Sequence, residues 1–256
     1  MPFFPPFVRF CYRCLLLAGL LFAQQASAQT DTVSPRHTHL QTNWLRPGAR
    51  QYLVYFQRPG SPHALYMSLW LRTVQKDGPV FRIRQHWYSG DSARYVESAS
   101  VNNAADFSPV YHSETTSEGR KGYNWSPQRI SGDTAMDNKA AGFTLAFRFP
   151  SYNWNLDIET FEMLPLAEGK TFAIPFYDAG HEPPAYVMYK VTGSDGDCWK
   201  LFTEGDYPMG HFTQTFWITK TGHELVKEED TMPGLFRYKV KLPAVAPDIL
   251  PRFATK

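Results

Sequence analysis

Few residues in this chain combine a reactive type with a spacing that chemistry can use. His37-Thr38-His39 puts two imidazoles on one side of an extended strand, a spacing able to chelate a metal ion. The pair falls in a polar, turn-rich stretch, where a solvated reading is the simpler one. His181-Glu182 begins like a zinc-protease motif, but Pro183-Pro184 follows at once and removes the helix that the motif requires. Gly193-Ser194-Asp195-Gly196-Asp197 has neither the Gly-x-Ser-x-Gly of a nucleophile elbow nor the downstream Glu of a calcium loop, and reads as a hairpin turn. Glu228-Glu229-Asp230 supplies the carboxylates that glycoside hydrolysis uses, yet three adjacent acids at the end of an expected strand read as a solvated cluster. Cys198, beside Trp199, reads as a small apolar residue rather than a reactive thiol. The sequence therefore assigns no catalytic residue, no metal ligand and no cofactor, and leans away from an enzyme.

What the chain has in excess is aromatic surface: 14 Tyr, 19 Phe and 7 Trp, or 16% of its residues. Aromatic side chains on both faces of one strand require that both faces be covered, by a second layer or by a bound molecule. A large aromatic core is the plain account. The sharper one is a curved sheet whose concave face holds an apolar ligand, with Trp70, Trp87, Trp154 and Trp217 as its candidate lining residues.

The elements that would position these residues are strands. Leu65, Met67, Leu69 and Leu71 alternate with Tyr66, Ser68, Trp70 and Arg72, the two-residue period of extended chain. Lys76-Asp77-Gly78 offers a turn, and the returning segment sets Phe81, Ile83, Gln85 and Trp87 against Arg82, Arg84, His86 and Tyr88, so the pair reads as a hairpin. The alternation recurs in 143–149, 171–177, 185–192, 198–204, 213–219, 224–229 and 236–242. Short strands at such regular spacing predict a mainly β fold, a curved antiparallel sheet or half-open barrel. One stretch has a different period: Ile158, Phe161 and Leu164 stand three apart, Asp157 and Glu159 come early, and Pro165 follows. This predicts one short helix, Leu156 to Met163, packed against the sheet.

The ends of the chain carry a different message. Arg9 and Arg13 precede the apolar run 15–23, and Ala26-Ser27-Ala28 presents small residues where a signal peptidase cuts. Residues 1–28 are expected to be a secretory signal peptide, because the apolar run is about half the roughly 20 residues that a membrane span needs. Residues 29–41 read as a flexible leader, 42–242 as a single β-rich domain, and 243–256, with Pro243, Pro247 and Pro251, as a Pro-rich tail. Loss of Arg9 and Arg13 lowers the basic count from 26 to 24, level with the 24 acids. A neutral chain without a dense basic run excludes nucleic acid as the expected partner. Of the three cysteines only Cys198 follows the leader, so no disulfide is expected within the processed chain.

A resemblance enters in the carboxy-terminal half. The run from Thr215 through Trp217, Thr221-Gly222 and Glu224 to Glu229 is a strand with a central Trp, a turn, and a strand that passes from basic to acidic residues. Asp157 to Leu166, followed by Glu168-Gly169-Lys170, adds a helix and a glycine turn. Over residues 150–242 the chain resembles an uncharacterised family of exported bacterial β-rich proteins, similar in architecture to the periplasmic lipoprotein carriers LolA and LolB. That resemblance implies a half-open barrel over a helix and a sheltered apolar cavity, and it transfers no functional residue.

The expectation is thus a non-enzymatic exported protein, periplasmic or extracellular and not membrane-spanning, that binds a lipid, lipoprotein or other amphipathic molecule on the concave face of its sheet. A carbohydrate-binding module or glycoside-acting enzyme that uses exposed aromatics, and a structural or assembly protein without a small ligand, are the alternatives.

Overall fold

The computed structural model describes residues 30–37, 39–90, 95–134, 137–181, 183–208 and 210–243. The expected signal peptide and all of the tail beyond Pro243 lie outside the described residues. After β1 (Thr30–Thr32) comes a first meander: β2 (Gly48–Gln57), β3 (Ala64–Asp77), β4 (Val80–Ser89), β5 (Val96–Asn103), β6 (Pro109–Thr116), β7 (Gly119–Trp125), β8 (Arg129–Gly132) and β9 (Thr144–Ala146). β10 (Tyr152–Asn153), a 3-10 turn at Trp154–Leu156 and the helix α1 (Asp157–Glu162) then form a crossing. A second meander follows: β11 (Thr171–Tyr177), β12 (Ala185–Asp195), β13 (Cys198–Tyr207), β14 (Gly210–Thr219), β15 (Leu225–Met232) and β16 (Leu235–Lys241).

All sixteen described strands belong to one sheet, in the order β1-β11-β12-β13-β14-β15-β16-β2-β3-β4-β5-β6-β7-β8-β9, with β10 beside β11. The two meanders join where β16 pairs antiparallel with β2. Pairing is antiparallel throughout except for β1 and β10, which both lie parallel to β11. The protein is therefore mainly β, and its described residues form one large curved sheet with a single short helix. Two short strands cap the β11 edge, and β9, three residues long, ends the other; brief edges give little purchase for pairing with another chain.

Local chemistry explains the elements. The β3–β4 hairpin turns at Gly78, whose φ of 53° lies in the left-handed region that glycine enters without cost. Across it Trp70 pairs with Trp87, Arg72 with Gln85 and Val74 with Ile83, so these six share a face. That is the buried, concave face. The aliphatic row Leu65, Met67, Leu69 and Leu71 points the other way, and Leu65 and Met67 are each 56% exposed.

The helix is shorter than its apolar spacing predicts, because Trp154–Leu156 forms a 3-10 turn and only Asp157–Glu162 is α-helical. Ile158, Glu159, Thr160, Phe161 and Glu162 are all buried, so the sheet wraps the helix rather than flanking it. Phe161 meets Tyr189 at 4.7 Å and Phe216 at 4.8 Å between ring centroids, and Phe176 edge-on at 6.0 Å. These rings belong to the second meander, while the helix carboxylates reach the first. Truncating Phe161 to Ala would cost about 3–5 kcal/mol by loss of transfer energy and an unfilled cavity.

The two ends of the sheet approach each other through an aromatic seam. Tyr177 at the end of β11 packs edge-on against Trp125 of β7 at 5.6 Å and against Phe147 at 5.3 Å. This seam explains why the segment 143–149 is strand only over Thr144–Ala146: Phe143 and Phe147 leave the ladder to pack against Tyr123, Trp125 and Tyr177. In the polar leader, β1 pairs with β11, and Val33 and Leu40 are buried in the main core.

Candidate functional site

The concave face is where polar chemistry concentrates, in three groups. The first ties the helix to β2 and β3. Arg72 lies on β3 between Trp70 and Val74, so the two-residue period aims it inward. There its Nε donates to Glu159 Oε1 at 2.9 Å and one Nη to Glu159 Oε2. Both side chains are 1% exposed. Arg50, its cross-strand partner on β2, pairs with Glu162 Oε2 at 3.4 Å and with Glu224 Oε1 at 3.4 Å. Glu162 also accepts from the Leu225 amide at 3.0 Å. Burial pushes the Glu162 carboxyl up to about 7, with the nearby Glu159 adding to the rise and Arg50 opposing it. The same burial, with Glu162, holds the Tyr52 hydroxyl well above its ordinary range.

The second group lies between β15 and β16. Glu228 and Asp230, two residues apart, face Lys239 and Arg237 on the neighbouring strand. Lys239 Nζ sits 2.6 Å from Glu228 Oε2, Arg237 donates to Glu228 Oε1 at 3.0 Å, and Arg237 Nε bonds Asp230 Oδ2. Burial works to raise Glu228, but Lys239 and Arg237 outweigh it and hold that carboxyl below the usual range. Asp230 goes the other way, raised to about 7 by burial and by the negative charge of Glu228. Asp157 at the start of α1 is likewise raised, first by burial, with Lys239 countering. The acidic run 228–230 is therefore not a solvated strand end. β15 continues to Met232, which places Glu228 and Asp230 in mid-strand on the inner face, while Glu229 takes the outer face beside Lys227.

The third group is neutral. His112 on β6 and Ser100 on β5 are paired in register, with Ser100 Oγ and His112 Nδ1 at 2.9 Å. The Asn155 amide nitrogen lies 3.4 Å from His112 Nε2 and donates to Asp178 Oδ1 at 3.3 Å. An amide donor at Nε2 leaves the ring proton on Nδ1, pointing at Ser100, so the imidazole cannot take the Ser100 proton as a catalytic base would. Both residues are 2% exposed, and burial pushes His112 down to about 4. The group holds the crossing segment by neutral hydrogen bonds.

The four tryptophans singled out from sequence are divided by the fold. Trp70 and Trp87 stack on the concave face at 4.4 Å with planes 19° apart, and Trp70 also meets Arg72 at 4.3 Å and Lys239 at 5.0 Å. Trp154, at the helix entry, packs edge-on against Phe176 at 5.3 Å and joins the same core. Trp217 is on the convex face, in register with Lys200 and Lys227, whose Nζ lies 3.8 Å from the ring centre. Beyond Trp87, whose cross-strand partner is Val96, a hollow of about 270 Å³ is lined by Val96, Glu114, Thr116 and Lys121 among others. Ser68 Oγ, Trp70 Nε1 and Thr203 Oγ1, all on the inner face, are buried polar atoms with no hydrogen-bond partner among the described residues.

Sequence reasoning missed the ionic groups. The available signal was a charged residue inside an otherwise inward-facing row, Arg72 between Trp70 and Val74, together with complementary i, i+2 pairs on adjacent strands, Glu228 and Asp230 against Arg237 and Lys239. Among the described residues no cluster of His, Cys, Asp and Glu is placed to hold a metal ion, and no helix is long and apolar enough to cross a membrane. Residues 51–241 match the model of a family described as protein of unknown function (DUF3108). No curated protein matches the chain.

Proposed function

We propose that this chain, which belongs to the DUF3108 family, is a non-catalytic exported protein that binds an amphipathic molecule on the concave face of its sheet. The observation that carries the reading is the composition of that face beyond the helix. A half-buried aromatic strip, Phe56, Tyr66 and Trp87, borders buried ionic and polar groups, and two of these, Ser68 Oγ and Trp70 Nε1, have no hydrogen-bond partner among the described residues. Apolar lining with a few convergent polar groups is the general character of small-molecule sites. Export rests on the order of residues at the amino terminus, Arg9 and Arg13, then the apolar run 15–23, then Ala26-Ser27-Ala28. The likeness to LolA and LolB carriers belongs to the same reading: a curved sheet around a helix, with apolar surface sheltered inside.

A sugar platform is the weaker reading. Such a platform needs a free aromatic face, and the rings here are engaged: Trp70 by Trp87, Arg72 and Lys239, Trp217 by Lys227, Trp154 by Phe176.

Two measurements test the proposal. Fractionation of cells that make the full chain should place the processed form outside the cytoplasm with Gln29 as its first residue; an uncut cytoplasmic product would end the export reading. The processed chain should release lipid into organic solvent or raise the fluorescence of an apolar naphthylamine probe. Trp87→Ala should weaken probe binding and the convex Met67→Ala should not. No extracted lipid together with no probe response would overturn the binding reading.

A further inference from the structure

Arg237 is the one member of the β15–β16 ionic group that reaches solvent: its side chain is 27% exposed, whereas Glu228, Asp230 and Lys239 are between 1% and 6%. Its Nε is committed to Asp230 and its Nη2 to Glu228, and Nη1 takes part in neither bond. A guanidinium carries five donors in a planar fork, so the exposed edge retains donors for a third acceptor. On that face Glu228 and Asp230 flank it from β15, and the side toward β2 and β3 is aromatic. Arg237 stands in register with Phe56, Phe56 with Tyr66 at 5.6 Å between rings, and β3 then leads to Trp70 and its stack with Trp87. A molecule that enters the concave face meets a cation at one end of an aromatic strip.

That arrangement discriminates among heads. An ammonium is repelled by Arg237, and an uncharged head gains only the strip. A planar carboxylate matches one edge of a single guanidinium. A phosphate, with more charge and a tetrahedral shape, calls for a second cation, and the nearest one, Lys239, is buried against Glu228.

We propose that the concave site takes a single-chain amphiphile with a carboxylate head, the head on the exposed edge of Arg237 and the chain along Phe56, Tyr66 and Trp87. This rests on the concave-face reading above and names the ligand class for it. Asp230 competes with the incoming carboxylate for the same guanidinium, so removing its charge while keeping an acceptor strengthens binding.

The test titrates the processed chain, by its own tryptophan fluorescence, with laurate, dodecyl phosphate, dodecyl maltoside and dodecyltrimethylammonium, each below its micellar concentration. Laurate is expected to bind about tenfold tighter than the maltoside or the ammonium. Arg237→Gln should abolish that preference and leave maltoside affinity within about twofold, and Asp230→Asn should tighten laurate by about threefold or more. Arg237→Lys serves if the glutamine variant does not fold: it keeps a charge between Glu228 and Asp230 but loses the fork, and should lower the laurate preference. Equal affinity for all four heads, tighter binding of phosphate or ammonium, or a preference untouched in every Arg237 and Asp230 variant overturns the carboxylate assignment and leaves the concave-face reading in place. Failure of all four amphiphiles to bind overturns both.

Discussion

The crossing segment, residues 151–162, is gripped from two sides by opposite chemistry. On the β2–β3 side the grip is ionic, Arg72 on Glu159 and Arg50 on Glu162. On the β5–β6 side it is neutral, with Ser100, His112, Asn153 and Asn155 linked by hydrogen bonds. Glu162 and His112, the titrating groups at the centre of each side, are both buried, so the difference lies in which charge state each can carry. An ion pair out of water holds only while both partners remain, because desolvation costs several kcal/mol per ion and mutual attraction repays it. A neutral network needs its imidazole uncharged. Glu162 in the first grip and His112 in the second are both pushed by burial toward their uncharged forms, and because one is an acid and the other a base their contributions respond to pH with opposite sign. Glu162 is raised from 4.5 to about 7, so the folded state keeps a proton that the unfolded chain has lost, and its contribution is largest below about pH 4.5 and declines as pH rises through 7. Asp230, also raised to about 7, acts in the same direction. His112 is lowered from 6.5 to about 4, so its contribution is complete above pH 6.5 and is lost as pH falls toward 4.

The comparison breaks most easily at Arg72. Arg72→Ala leaves Glu159 buried and unpaired and is expected to cost about 3–5 kcal/mol in urea unfolding at pH 7. Replacing both partners, Arg72→Met with Glu159→Leu, should recover most of that loss; a single variant that costs under about 1 kcal/mol would show that the ionic grip bears no weight. His112→Asn is expected to cost about 1–3 kcal/mol at pH 7, since it strands buried hydrogen-bonding groups. It should also remove the acid-side loss between pH 6.5 and 4 that the parent chain shows. Glu162→Gln should flatten the opposite slope between pH 4.5 and 7, with a gain on the order of 1 kcal/mol at pH 8. Urea midpoints at four pH values measure both, and slopes of the same sign in the two variants would refute the opposition. Smallest of all, Leu65→Ser on the convex face should move stability by no more than about 0.5 kcal/mol despite its apolar character.

That last variant shows what the sequence made legible and what it hid. The period of β3 was plain from residues 65–72, and β11 has the expected bounds, Thr171–Tyr177. Which face turns inward was not. Apolar content alone favours the row Leu65, Met67, Leu69, Leu71, yet the row with Ser68 and Arg72 is the buried one, because Arg72 meets Glu159 and Trp70 meets Trp87 from elements distant in the chain. The same long-range pairing hid the ionic groups: Glu228-Glu229-Asp230 looks like a solvated acidic run until β16 supplies Arg237 and Lys239. The strands β5 to β8, rich in Ser, Asn and Gly, carry weak alternation, and their place in the sheet depends on the hairpins around them.

Because β16 pairs with β2, the last of the described strands closes against one of the earliest. A ribosome adding 5–20 residues per second makes β2 wait roughly ten seconds or more for its neighbour. Throughout that interval ten residues of backbone present an open row of amides and carbonyls, a template for misassociation with any passing strand. Contacts this remote in sequence also fold slowly. The polypeptide thus gains most from being kept unstructured until translation ends, so that β2 first meets a strand when its own partner exists.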